Sequence, residues 1–225
     1  ADQILLRRDD DATGSVLKGV LREKLARRLG HGDTLYVYLA GHGLPDLKDE
    51  DKDKDRAKPA YFMPYDGDPE MVKSTGYALE DLYRDVEALP VAQAFVFADA
   101  CFSGTDRKGK PLNADARPAL LSVRLPKVAL RKTFILSAAG MNEVARGHPE
   151  SQHGLFTHYL LLGLRGEADA NRDGRVALAE LHAYTQEQVS VAAGEFYDHP
   201  QTPDLYPPRA TTGTPVAERG LRGQP

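Results

Sequence analysis

A single cysteine, Cys101, stands in the whole 225-residue chain. Internal disulfides are therefore excluded, and a lone thiol that must stay reduced to be useful suits a reducing compartment. No apolar run approaches the roughly 20 residues needed to cross a bilayer. Ala1-Asp-Gln also lacks the features of a secretory signal, so the cytoplasm is the expected compartment and no membrane partner is expected. An excess of either charge is missing too: 29 Lys and Arg against 33 Asp and Glu leave a net charge of −4. That balance gives no bias toward nucleic acid. What is present, 225 residues that are 41% hydrophobic, is enough for one sizeable α/β domain.

Two apolar runs end in residues that carry chemistry. Thr34-Leu-Tyr-Val-Tyr-Leu-Ala40 leads into Gly41-His42-Gly43, and Ala94-Phe-Val-Phe-Ala98 leads into Asp99-Ala-Cys-Phe-Ser-Gly104. Both runs are short, continuous and rich in strand formers, which predicts strands covered on both faces of a parallel sheet. Chemistry in open α/β sheets gathers at the carboxyl ends of strands, so His42 and Cys101 should emerge at one edge although far apart in sequence. A thiol is a nucleophile only as thiolate, and a neighbouring imidazolium lowers its pKa from about 8.5 by several units. Gly41 and Gly43 leave the histidine turn without bulk, so a peptide could approach the Gly43 N–H. That group and the Cys101 N–H could form an oxyanion hole.

At these residues the chain resembles the caspase-like clan of cysteine peptidases, nearer to the bacterial caspase-like and metacaspase members than to animal caspases. Tyr38-Leu-Ala-Gly-His-Gly43 resembles the histidine motif and Asp99-Ala-Cys-Phe-Ser-Gly104 the cysteine motif. Pro64-Tyr-Asp66, Leu136-Ser-Ala138, Gly154-Leu-Phe-Thr157 and Gln201-Thr-Pro203 recur in the order found in such domains. The resemblance implies a three-layer sandwich with a mostly parallel central sheet and helices on both faces. It also implies a catalytic dyad of His42 and Cys101, a polypeptide substrate, a thioester intermediate and no cofactor for the chemistry.

Metacaspase-like enzymes carry an acidic residue two positions before the nucleophile that helps bind arginine or lysine, and Asp99 occupies that place, with Ser137 as a further substrate contact. A carboxylate in a partly dry pocket rewards a guanidinium and repels an acid. Cleavage after Arg or Lys is the expectation. The alternative for Asp99 is a structural one, capping a turn or bonding the catalytic loop. His31, His148, His153, His158, His182 and His199 have no setting like that of His42 and read as surface or structural residues.

Elsewhere, Gln3 to Leu6 reads as a short strand and Ser15 to Leu29 as an amphipathic helix. Leu17, Leu21, Leu25 and Leu29 form its buried stripe, and Lys18, Arg22, Lys24 and Arg28 its wet face. A mixed-charge loop spans Asp46 to Arg56. Helices are expected at Ala78 to Leu89 and Gly154 to Leu164, with a strand at Thr133 to Ser137. Thr105 to Arg131 carries Arg107, Lys108 and Lys110, where self-cleavage would suit the enzyme's own preference.

Asp169-Ala-Asn171-Arg-Asp173-Gly174-Arg175 through Glu180 fits a twelve-position EF-hand loop. Oxygens of Asp169, Asn171, Asp173 and Glu180 with the Arg175 carbonyl could surround Ca2+ in a stabilising role. Residues 1–203 are expected to form the peptidase domain and 204–225 an extended C-terminal arm. Caspase-like domains begin with a strand and helix for which this chain has no candidate. An upstream fragment or second chain is therefore expected to complete the sheet, because buried unpaired backbone groups cost roughly 1–3 kcal/mol each. The alternative function is a catalytically silent caspase-like module for binding or calcium sensing.

Overall fold

Apolar stripes and ladders assemble around one mixed sheet in a computed structural model, which describes residues 3–46, 58–101, 128–140, 143–208 and 213–218. Thr13 caps the first helix, α1 (Gly14–Gly19), by accepting from the Val16 N–H, and the coil continues with wider turns through Val20–Leu25. There follow β1 (Thr34–Pro45), β2 (Ala60–Met63), α2 (Val72–Thr75), β3 (Tyr77–Ala78), α3 (Leu79–Glu87), β4 (Gln93–Cys101) and β5 (Thr133–Ser137). The remainder comprises α4 (Leu155–Leu162), which continues to Glu167, then β6 (Arg175–Ala177), α5 (Leu178–Tyr197), β7 (Asp204–Tyr206) and β8 (Pro215–Glu218).

Six strands form one sheet in the order β3-β2-β1-β4-β5-β7, and β6 pairs with β8 in a separate ribbon. Only the central trio β1, β4 and β5 is parallel; β2, β3 and β7 join antiparallel. The sheet is thus mixed rather than mostly parallel. Its α/β layering with helices on both faces stands: α3 and the α1 coil cover one face, α4 and α5 the other.

Side-chain alternation decides which residues meet each layer. On the α3 face, Ala94, Val96 and Ala100 of β4 pack with Leu79, Leu82 and Val86 of α3 and Leu21 of the α1 coil. The helix stripe Leu17, Leu21, Leu25 and Leu29 lies against this core as expected, and Arg22 on its wet face pairs with Asp85 at 2.7 Å. On the α4 face, Phe95 and Phe97 pack with Leu136, Phe156, Leu160 and Leu181. Burying each such side chain contributes about 1.5–3 kcal/mol.

Three expectations are corrected. Gln3 to Leu6 is no strand: Ile4 and Leu6 lie 79% and 60% exposed, with no ladder to hold them. The histidine strand is covered on one face only, since Tyr36 and Tyr38 are half exposed on the other. The stretch after 203 is partly built into the fold rather than an extended arm, because Leu205 on β7 and Val216 on β8 are buried. The mixed-charge loop beyond Asp46 and the cleavage candidates Arg107, Lys108 and Lys110 lie outside the described residues.

Among the described residues, the length Thr34–Gly41 of β1 has a ladder partner on one side only, β4. On the other side β2 pairs just with His42 to Pro45. No described strand therefore lies beside Thr34–Gly41 on that side. No described helix is long and apolar enough to cross a membrane.

Candidate active site

The parallel ladder between β1 and β4 runs from Thr34–Gln93 to His42–Cys101, and its last register pair is the histidine and the cysteine. Register partners on neighbouring strands lie about 4.8 Å apart at the backbone. Both strands run through the motifs instead of breaking before them, so His42 stands within β1 and not on a turn after it. It is exposed, on the same side of β1 as Tyr36, Tyr38 and Ala40.

The two glycines flanking His42 have different duties. A Cβ at Gly41 would stand 3.1 Å from the Phe62 ring of β2, so this glycine makes room for an aromatic neighbour. Gly43 is buried in the hairpin with β2, opposite Phe62.

Asp99, in register with Ala40, is 1% exposed. The Thr157 hydroxyl, in the first turn of α4, donates to its Oδ2. Tyr38 Oη stands 2.7 Å from the same Thr157 oxygen. Gly154, just before α4, packs on the carboxylate so closely that a Cβ there would lie 2.9 Å from Oδ1 and nearer still to Oδ2. Neither Tyr38 nor Thr157 was assigned a role from sequence, although Gly154-Leu-Phe-Thr157 and Tyr38 both fall inside the motifs. The contact joins three separate elements, and spacing within any one of them does not reveal it.

Ser137 ends β5 in register with Ala98, and its hydroxyl donates to the carbonyls of Ala139 and Asp204, both at 3.3 Å. It belongs to the same sheet edge but is not bonded to Asp99. Gln201, fully buried, accepts from the Arg146 N–H at 2.8 Å and donates to the Ala138 carbonyl at 2.9 Å. Together with the Leu155 N–H to Arg146 carbonyl bond at 2.8 Å, this fixes the approach to α4. Asp66 accepts from the Gly14 N–H at 2.7 Å and so anchors the start of α1. These partners give the outlying motifs a structural purpose, which is to hold the loops around the sheet edge.

Flanking groups shift as their surroundings dictate. Burial of Tyr36, whose ring stacks on Phe95 at 5.4 Å, pushes its phenol up. Partial burial, then the neighbouring His148 and His153, lower His158 below the usual imidazole value.

The EF-hand-like loop lies on another part of the molecule, ahead of α5. Asp169 accepts from the N–H groups of Asp173 and Gly174, both at 3.1 Å, and Asn171 Oδ1 accepts from Asp173 at 2.8 Å. Asp173 accepts from the Arg175 N–H at 2.9 Å, and Glu180 accepts from Asn171 and Ala177. Arg172 and Gly174 take positive φ to make the turn. The side-chain oxygens of the expected ligands are thus turned onto the loop's own amides. Among the described residues no cluster of three His, Cys, Asp or Glu is arranged to hold a metal.

No protein-family model matches this chain, and no curated protein matches it. Among solved structures, it is similar to protein GSU0716 from Geobacter sulfurreducens at a TM-score of 0.57 and 16% identity. The match covers 96% of this chain and 83% of that one. At that identity the likeness is one of fold: an α/β architecture that the chain shares across nearly its whole length.

Proposed function

We propose that this chain is a caspase-like cysteine endopeptidase that cleaves after arginine or lysine. The observation that carries the reading is the terminal register pair His42–Cys101 at the carboxyl edge of two parallel strands. It supports an imidazole and a thiol working on one bound peptide.

The chemistry follows from those groups. The Cys101 thiolate attacks the carbonyl carbon, and the negative charge passes to the carbonyl oxygen, facing the N–H groups of Gly43 and Cys101. Collapse breaks the C–N bond while the His42 imidazolium gives its proton to the departing amine. The thioester left on Cys101 is attacked by water, whose proton His42 removes. Collapse then expels the thiolate and frees the carboxylic acid. Asp99 supplies the negative charge that prefers a basic side chain before the cut.

That no described strand pairs with Thr34–Gly41 opposite β4 supports a further proposal about partners. An extended segment, from the same polypeptide or another chain, would pair along Thr34–Gly41 and complete the sheet.

Fluorogenic peptides ending in Arg, Lys or Asp test the function. Turnover of the Arg and Lys peptides is expected, with a loss of at least about a thousandfold in Cys101→Ala and His42→Ala. No turnover by the unaltered chain overturns the peptidase reading in favour of a silent binding module, and a preference for Asp overturns the assignment of Asp99.

A further inference from the structure

We infer that Thr157 and Tyr38 are positioning residues for Asp99, and that this hydroxyl pair sets how strongly the site prefers a basic over a neutral side chain. The inference rests on the peptidase reading above and extends it to residues outside the catalytic pair.

The direction of the bonds is determined by proton count. An ionised carboxylate only accepts, and a threonine hydroxyl has one proton to give. Thr157 gives that proton to Asp99 Oδ2, so the hydrogen between Thr157 Oγ1 and Tyr38 Oη must come from the tyrosine. The result is a relay from Tyr38 on β1, through Thr157 on α4, to Asp99 on β4. A hydroxyl polarised by a second donor is a better donor itself.

Two further features bear on how the Asp99 carboxylate is held. The carboxylate lies against Gly154 at the start of α4, where the helix dipole favours negative charge. Gly154 has no Cβ, which lets helix and carboxylate approach so closely. Asp99 and Thr157 are 1% and 6% exposed, so water competes weakly for these bonds. Tyr38 also lies on the same side of β1 as His42, one helical layer and two strands thus being tied together beside the proposed nucleophile.

Removing the Thr157 hydroxyl takes away the donor that fixes the buried Asp99 carboxylate, so its charge is no longer held in one place to meet a guanidinium. A carboxylate that is not held in place separates arginine from glutamine less well. The test compares kcat/KM for otherwise identical Arg and Gln peptides in the full chain and in Thr157→Val, Thr157→Ser and Tyr38→Phe. Near-ultraviolet circular dichroism confirms that each variant is folded.

For Thr157→Val the Arg-to-Gln ratio should fall tenfold or more, mostly through KM for the Arg peptide. Thr157→Ser should restore the ratio to within threefold of the unaltered chain, and Tyr38→Phe should lower it two- to fivefold. An Arg preference unchanged in a folded Thr157→Val or Tyr38→Phe overturns the inference while leaving the peptidase reading intact. Absence of turnover in the unaltered chain overturns both. Should Thr157→Val not fold, the Tyr38→Phe and Thr157→Ser ratios decide by the same criteria.

Discussion

Gly154→Ala would drive a methyl group into the Asp99 carboxylate, where a Cβ would lie within 2.9 Å of Oδ1. The expected cost is about 1–3 kcal/mol, typical of overpacking a closed site, read as a lower urea midpoint at unchanged slope. Gly194 is the contrasting position. It lies inside α5, exposed, with nothing within 4 Å of a Cβ, so Gly194→Ala should stabilise the chain by about 0.5–1 kcal/mol in the same measurement. If both substitutions shift the midpoint alike, the packing at Gly154 is not as described. The pairing of His42 and Cys101 could be foreseen from sequence because each residue follows an apolar run that feeds the same edge of a parallel ladder. The link from Thr157 to Asp99 could not, because it exists only once α4 has docked on β4.

Along β1, a parallel ladder bonds alternate residues to its partner and leaves the intervening amides pointing the other way. With β4 on one side of Thr34–Gly41 and no described strand on the other, hydrogen exchange there should alternate, slow residues interleaved with fast ones. Uniform protection over the segment would mean that the flank is filled. The EF-hand-like loop makes a separate prediction: in calcium-free solution Asp169→Ala should cost about 1 kcal/mol, since two amides lose their acceptor. Calorimetry with millimolar calcium tests the ion itself, and only heat that disappears in this variant would sustain a site. Elements with a continuous apolar run or a clear helical stripe were the most legible. Thr133 to Ser137 is a strand as read, and Leu79, Leu82, Val86 and Leu89 all face inward. Tyr36 and Tyr38 misled because strand-forming aromatics look the same whether or not a layer covers them. The strands at Asp204–Tyr206 and Pro215–Glu218 were hidden because two adjacent apolar residues among prolines and threonines have no periodicity to display, and their partners are remote.

For the molecule as a whole, pH should limit stability from both sides. Burial raises Tyr36, Tyr77, Tyr83, Tyr159 and Tyr184 above the ordinary phenol range, with Asp85 adding to the effect at Tyr77 and Glu167 at Tyr184. Above about pH 10 the unfolded chain releases these protons while the native chain keeps them. Stability is therefore complete below that pH and falls as pH rises through the native values. Urea midpoints taken from pH 8 to 11 should hold steady and then drop, with a shallower drop in Tyr77→Phe; a midpoint constant to pH 11 would contradict this. On the acid side His158, lowered by burial and by His148 and His153, favours the neutral form in the native state. Below about pH 6.5 the unfolded chain takes up that proton first, and stability declines. The coupled lengths of β1 and β4 bear on how such a chain can diverge. Inserting or deleting one residue between Thr34 and His42 would move the imidazole about 3.3 Å along the ladder and reverse the side from which it projects. Descendants of this sequence can lengthen or shorten their connecting segments, but the count of residues leading to the histidine must be inherited unchanged.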